Sequence, residues 1–331
     1  MKVSSIKQVK NHSRQDILFG IARIPGANKA YVAGSDFKIH EVDFDNAKPE
    51  IREFGTHASY VTSLKLAGEV LISGGYDGKL YWWKAAAGEK VRVVDAHKKW
   101  IRQLAVSPNG KILASVADDM VPRLWNSQDG KLIQELKGEH QPLTPHHFQS
   151  MLYACAFSPD GKVIATADKS GHIVTWEVKT GKKINSMEAP VMYTWDPTAR
   201  RHSIGGVRSL AFSPDGKFLA AGGTGKIGNI DHLEANARIE IFSWEKTEKT
   251  QELVSDKHKG LVEYLEYHAD GMLLGAGGAG EGFLLFIDPA EKKIVFQEKS
   301  PMNIHGLASA EGMKSLMAVG HHRMVLFQLE S

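Results

Sequence analysis

The sequence has a single cysteine, Cys155, in its 331 residues, so no internal disulfide and no paired-cysteine metal motif can form. Cys155 lies in an apolar run, Leu152-Tyr153-Ala154-Cys155-Ala156-Phe157, and is expected to fill a core strand rather than act as a nucleophile. No apolar stretch reaches 18 residues, which excludes a transmembrane helix from the expected elements. The first seven residues, Met1-Lys2-Val3-Ser4-Ser5-Ile6-Lys7, hold no continuous apolar segment, so no secretory signal is expected and a cytoplasmic location is. Charge of one sign is also scarce. Lys and Arg total 41 against 38 acidic residues, a net of +3, too little for a nucleic-acid or membrane footprint. The basic pairs Lys98-Lys99 and Lys292-Lys293 are short and read as solvated loops.

What is present is repetition. Residues 101–111 (Ile-Arg-Gln-Leu-Ala-Val-Ser-Pro-Asn-Gly-Lys), 152–162 (Leu-Tyr-Ala-Cys-Ala-Phe-Ser-Pro-Asp-Gly-Lys) and 207–217 (Val-Arg-Ser-Leu-Ala-Phe-Ser-Pro-Asp-Gly-Lys) align. Each meets a second strand of small and apolar residues and then a tryptophan: Trp125, Trp176 and Trp244. In the Ser-Pro-Asp/Asn-Gly turn, proline presets φ and glycine accepts positive φ, so the element is a hairpin. A third and a fourth strand complete a four-stranded unit, the composition of a propeller blade.

Weaker copies extend the pattern in both directions. The third strands end near residues 43, 84, 126, 177, 245, 288 and 329, with gaps of 41, 42, 51, 68, 43 and 41. Four of these fall within the roughly 40–45-residue period of WD40 repeats. On these residues the sequence resembles the WD40 repeat family over essentially its whole length. Histidines His12, His57, His97, His140 and His258 stand where the family's Gly-His pair falls, although no unit keeps a literal Trp-Asp pair.

The resemblance implies an all-β, seven-bladed propeller in one domain, residues 1–331. The last unit stops at its third strand, and the strand-like residues 3–9 belong to no unit. An N-terminal strand is therefore expected to complete the last blade and remove an exposed edge. The resemblance also implies a hydrogen-bonded network inside each blade. Its best copies here are His57, Ser73, Asp77, Trp83 and His97, Ser115, Asp119, Trp125. A Ser-His-Asp set invites comparison with a hydrolase triad, but a catalytic set would not recur in adjacent units, and no nucleophile elbow is present. Gly222-Gly223-Thr224-Gly225-Lys226 lacks the phosphate-loop spacing, and the glycines of residues 275–280 read as a turn or bulge.

The functional expectation rests on what the blades do not need. The long gaps locate three insertions, residues 139–150, 189–205 and 224–237. All three fall on fourth-to-first connections or second-to-third turns, which emerge on one face, above blades four and five. Phe148, Tyr193, Trp195, Asp196, Arg200 and Arg201 give these loops an interface composition. At matching positions of the innermost strands stand Phe19, Thr62, Arg102, Tyr153, Arg208, Glu263 and His305. Of these, Arg102, Tyr153 and Arg208 are candidates to hold an acidic or C-terminal peptide. The function expected is a non-enzymatic scaffold or adaptor for a protein or peptide, without a cofactor and with no nucleic-acid or membrane partner. The alternative is an enzyme or metal-binding propeller using the same loops, with His146, His147, His202 and His232 as candidate ligands.

Overall fold

A computed structural model describes residues 3–46 and 48–330. Met1, Lys2, Ala47 and Ser331, which the 1–331 domain expectation includes, lie outside the described residues. The described chain is all-β, with two short 3-10 turns at Pro190–Met192 and Glu311–Met313 and no α-helix. No helix is long and apolar enough to cross a membrane.

The three Ser-Pro-Asp/Asn-Gly segments form one repeated turn. Ser107, Ser158 and Ser213 each accept, through the hydroxyl oxygen, the backbone N–H five residues on. Each hydroxyl donates to the Asn or Asp side chain two residues on: Asn109, Asp160 and Asp215. Gly110, Gly161 and Gly216 take φ values of 71°, 70° and 73°, the left-handed region that glycine enters freely. These turns set the register of the hairpins, and the apolar faces of neighbouring sheets then pack against each other. Between the third and fourth sheets, for example, Val116, Leu124, Ile164 and Trp176 share one buried cluster.

Five antiparallel sheets have four strands each, and a sixth has six strands. The innermost strands touch in a closed cycle: Ser5–Arg23, Val61–Ala67, Ile101–Val106, Leu152–Phe157, Ser209–Phe212, Leu261–Tyr267 and Ile304–Ser309. The architecture is a β-propeller.

The sheet count corrects the expectation of seven separate blades, since six blade sheets are present among the described residues. The cause is the 19-residue strand Ser5–Arg23, one continuous strand that serves the first and last units, with register shifts at Gln8/Lys10, Ser13/Ile17 and Leu18/Gly20. Its first part pairs with Ser315–Glu330, from Ser5 opposite Glu330 to Ile17 opposite His321. Its second part, Leu18 to Arg23, pairs with Lys29–Gly34. Strand Ser315–Glu330 itself folds back at His322, where φ is 58°, and the Leu329 N–H donates to the Lys314 carbonyl.

The N-terminal segment thus covers what would be an open edge beside the C-terminal strand. Deleting residues 3–12 should lower the thermal unfolding midpoint by more than about 5 °C, because ladder bonds and the packing of Val3 and Ile6 are lost together. Circular dichroism melts check this, and an unchanged midpoint would show that the pairing contributes nothing to stability.

Candidate functional site

Inside the blades, the predicted networks are assembled. In the second unit the His57 ring lies 3.1 Å from Asp77 through Nδ1 and 2.7 Å from the Ser73 hydroxyl through Nε2. Trp83 Nε1–H donates to that hydroxyl at 2.9 Å. The third unit repeats this: His97 to Asp119 at 3.0 Å, His97 to Ser115 at 2.7 Å, and Trp125 to Ser115 at 2.8 Å. With the hydroxyl accepting from tryptophan, its proton goes to Nε2, which leaves Nδ1–H for the carboxylate. Every polar atom of the relay is used, so the buried chain stabilises the blade and leaves no free nucleophile.

A third copy escaped the sequence reading: His140, Thr166, Asp168 and Trp176, with distances of 2.9, 2.8 and 2.8 Å. The signal was present, but Asp168 stands eight residues before its tryptophan where Asp77 and Asp119 stand six before theirs. His12 and His258 form no such relay: the Nε2 of His12 has no partner, and His258 stacks near Phe283.

Burial lowers the pKa of His97 and His140 below the usual histidine value, although Asp119 and Asp168 oppose the shift. A histidine depressed in the folded state costs stability as pH falls below its unfolded value of about 6.5, because only the unfolded chain then takes up the proton. Asp119 and Asp168 resist burial but are held below the ordinary carboxylate range by their hydrogen-bonded histidines, so a second loss begins below about pH 3.8. His140→Gln should flatten the fall in unfolding free energy between pH 6.5 and 5; an unchanged slope would mean that His140 titrates alike in both states. Ser115→Ala strands His97 Nε2 and Trp125 Nε1 and should cost roughly 1–3 kcal/mol for each group in urea unfolding.

Of the other sequence candidates, Cys155 is buried, which pushes its thiol up to about 12 and fits a core filler. A Cβ at Gly277 would stand 1.8 Å from the Leu261 carbonyl, so close strand approach accounts for that glycine, whereas Gly280 has open space around it.

The three insertions meet one another. Residues 189–205 form the 3-10 turn and then a hairpin, Tyr193–Asp196 with His202–Gly205. Against it lies the first insertion: the Tyr193 hydroxyl donates to Thr144 Oγ1 at 2.8 Å, and the His146 ring stacks on Trp195 at 3.5 Å. The third insertion closes on the other side, through Ile227 N–H to Thr194 Oγ1 at 3.0 Å and an Arg200–Asp231 ion pair at 2.6 Å. Several predicted contact residues therefore have internal work. Tyr193 is buried, Phe148 is half-buried, and Asp196 accepts the N–H groups of Thr198 and Ala199. Trp195, 41% exposed, and Arg201 remain open to solvent.

The metal candidates are not gathered. Among the described residues the one group with ligand atoms in a common sphere is Asp16, Asp36 and His40, which includes none of His146, His147, His202 or His232. The Arg14 guanidinium already fills that group, 2.6 Å from Asp16 and 3.5 Å from Asp36.

The seven inner-strand positions do converge. Phe19, Thr62, Arg102, Tyr153, Arg208, Glu263 and His305 all line one central cavity of about 280 Å³. They are not equivalent there. Arg102 is committed to a two-pronged pair with Asp118, at 2.8 and 2.7 Å, and also donates to the Tyr76 hydroxyl. Glu263 accepts from or pairs with His305 Nδ1 at 2.8 Å. Arg208 instead stacks over Tyr153, 3.6 Å from the ring centroid, and its buried Nε has no partner.

Comparison with known proteins gives the same pattern of repeats. The family described as "WD domain, G-beta repeat" matches residues 48–84, 88–126, 137–177 and 196–227. The chain is 25% identical to the periodic tryptophan protein 2 homolog of Dictyostelium discoideum, over 66% of this chain and 24% of that protein. It is 24% identical to the eukaryotic translation initiation factor 3 subunit I of Pyricularia oryzae, over 55% of this chain and 47% of that protein. With the apoptotic protease-activating factor 1 of Rattus norvegicus, identity is 29% over 48% of this chain and 12% of that protein. The chain thus matches between about an eighth and a half of these relatives' lengths. By its repeats, its propeller and these relatives, the chain belongs to the WD40 repeat family.

Proposed function

We propose that this chain is a non-enzymatic interaction scaffold that binds a protein or peptide on its loop-rich face, above blades four and five. The observation that carries the reading is the mutual packing of three insertions that no blade requires, with Trp195 left exposed on their outer surface. Long loops held in one arrangement lose less entropy on binding than mobile ones, and an exposed tryptophan supplies contact area. The rival reading is an enzyme or metal-binding propeller with its site in the same loops; its candidate ligands His146, His147, His202 and His232 form no common ligand group among the described residues. The similarity to a translation initiation factor subunit fits a chain that works within protein assemblies. A cytoplasmic protein with neither nucleic acid nor membrane as partner accords with the near-balanced charge.

The same reading treats residues 1–331 as one ring of seven blade-sized units, in which the six-stranded sheet contributes two. Its support is the division of strand Ser5–Arg23 between two pairing partners and the fold-back of strand Ser315–Glu330.

Affinity purification of the intact chain from its native host is compared with a variant whose residues 190–203 and 226–236 are replaced by short Gly-Ser links. A partner captured by the intact chain and lost by the folded variant supports the reading. Equal capture by both, or no capture by either, would reject it.

A further inference from the structure

Around the mouth of the central cavity stand the carboxylates of Asp118 and Glu263 and the cations of Arg102, Arg208 and Lys169, with Lys65 also on the cavity wall, and the pairing is incomplete. Asp118 spends both oxygens on Arg102, and Glu263 faces His305. That leaves Arg208, whose buried Nε has no acceptor, and Lys169. Lys169 is only 8% exposed, and its ammonium makes no hydrogen bond or ion pair among the described residues. It occupies the turn position held by Tyr76 and Asp118 in the second and third units. In each case the backbone N–H donates to the residue before an inner strand: Tyr60, Trp100 and Met151. Burial lowers the pKa of Lys169, and Arg208 adds to the effect, so two like charges share this place. A buried charged donor without an acceptor is costly, and an arriving carboxylate removes that cost.

Beside this mouth lies an aromatic shelf. Tyr76 and Trp100 stack at 4.1 Å with an interplanar angle of 6°. Arg102 stands 5.2 Å from each ring, and Trp100 remains 47% exposed. Tyr76 lines both the central cavity and a neighbouring cavity of about 450 Å³, whose wall includes Trp100 and the exposed Lys98 and Lys99. Neither ammonium has an acidic partner among the described residues, although the Lys98 backbone N–H donates to Asp119. Anchor, shelf and outer cations therefore run outward from the cavity, over blades two to four.

We infer that this surface binds an acidic, extended peptide: one carboxylate seated between Arg208 and Lys169, an apolar side chain on Trp100 and Tyr76, and further acids toward Lys98 and Lys99. The inference rests on the scaffold reading and gives that face a partner chemistry. The resident Asp118 and Glu263 hold the excess of positive charge low, which suits single carboxylates and disfavours a polyphosphate.

The test is a selection of random decapeptides on the full chain, followed by anisotropy measurements with the selected sequences. The expected result is enrichment in Asp and Glu with one aromatic or aliphatic position. Affinity should fall by about tenfold or more in each of Arg208→Gln, Lys169→Met and Trp100→Ala, all folded by circular dichroism. Resynthesis with a C-terminal amide distinguishes a terminal carboxylate from a side-chain one. Selected peptides without acidic enrichment, no binders at all, or full retention by Arg208→Gln would overturn the inference. So would competition by millimolar inorganic phosphate with no peptide selected, which would make the mouth a small-anion site. A natural partner captured equally by the intact chain and Arg208→Gln removes this inference and leaves the scaffold reading standing. Failure of the loop-shortening comparison removes that reading instead.

Discussion

Antiparallel pairing between the two ends of the described chain, Ser5 to Ser13 against Arg323 to Glu330, is the contact on which the rest of the structure depends. A propeller is stable because each sheet packs on two neighbours, so one open seam would expose two apolar faces and two strand edges. Here the seam is closed by a strand that continues directly into the first unit, so the join is both hydrogen-bonded and covalent. With the ring closed, the inner strands are held in one cycle, and the residues at their starts are forced to face a common opening. Neither the central cavity nor the loop face would have a defined shape without that closure.

The blade relays act locally on the same frame. Tryptophan, hydroxyl, imidazole and carboxylate each satisfy the next, and they fasten a first strand's approach, a second strand and the following turn. The relays fall in three consecutive units, the second to the fourth. The fifth unit uses a different device: a buried Arg238–Glu240 pair at 2.7 Å, with Trp244 donating to the Gly216 carbonyl. The insertions sit above the junction between these two kinds of blade and are tied to each other by Tyr193, Trp195 and Arg200.

Much of this was legible in the residue order, because the turns need particular residues at particular spacings. The Ser-Pro-Asp/Asn-Gly segments form the turns expected of them, and Ser73, Ser115 and their partners meet as the family resemblance implied. The relay of His140 was hidden by a two-residue shift of Asp168, which a fixed Asp-to-Trp spacing cannot detect. The separate first and last blades could not be distinguished from a shared sheet, since only pairing partners reveal that Ser5–Arg23 serves both. At the cavity mouth, Arg102 and Arg208 look alike in sequence. Their difference comes from Asp118, which pairs with Arg102 and leaves the buried Nε of Arg208 without an acceptor, and composition does not encode that placement.

The most direct test of the platform account is cross-linking mass spectrometry on the complex with a captured partner, using an amine-reactive reagent. Lys98, Lys99 and Lys226 lie on the loop-rich face, and Lys111, Lys162 and Lys217 stand at first-to-second-strand turns on the opposite one, all six exposed. The account predicts partner cross-links at the first three and none at the last three. Cross-links confined to Lys111, Lys162 and Lys217 would contradict it.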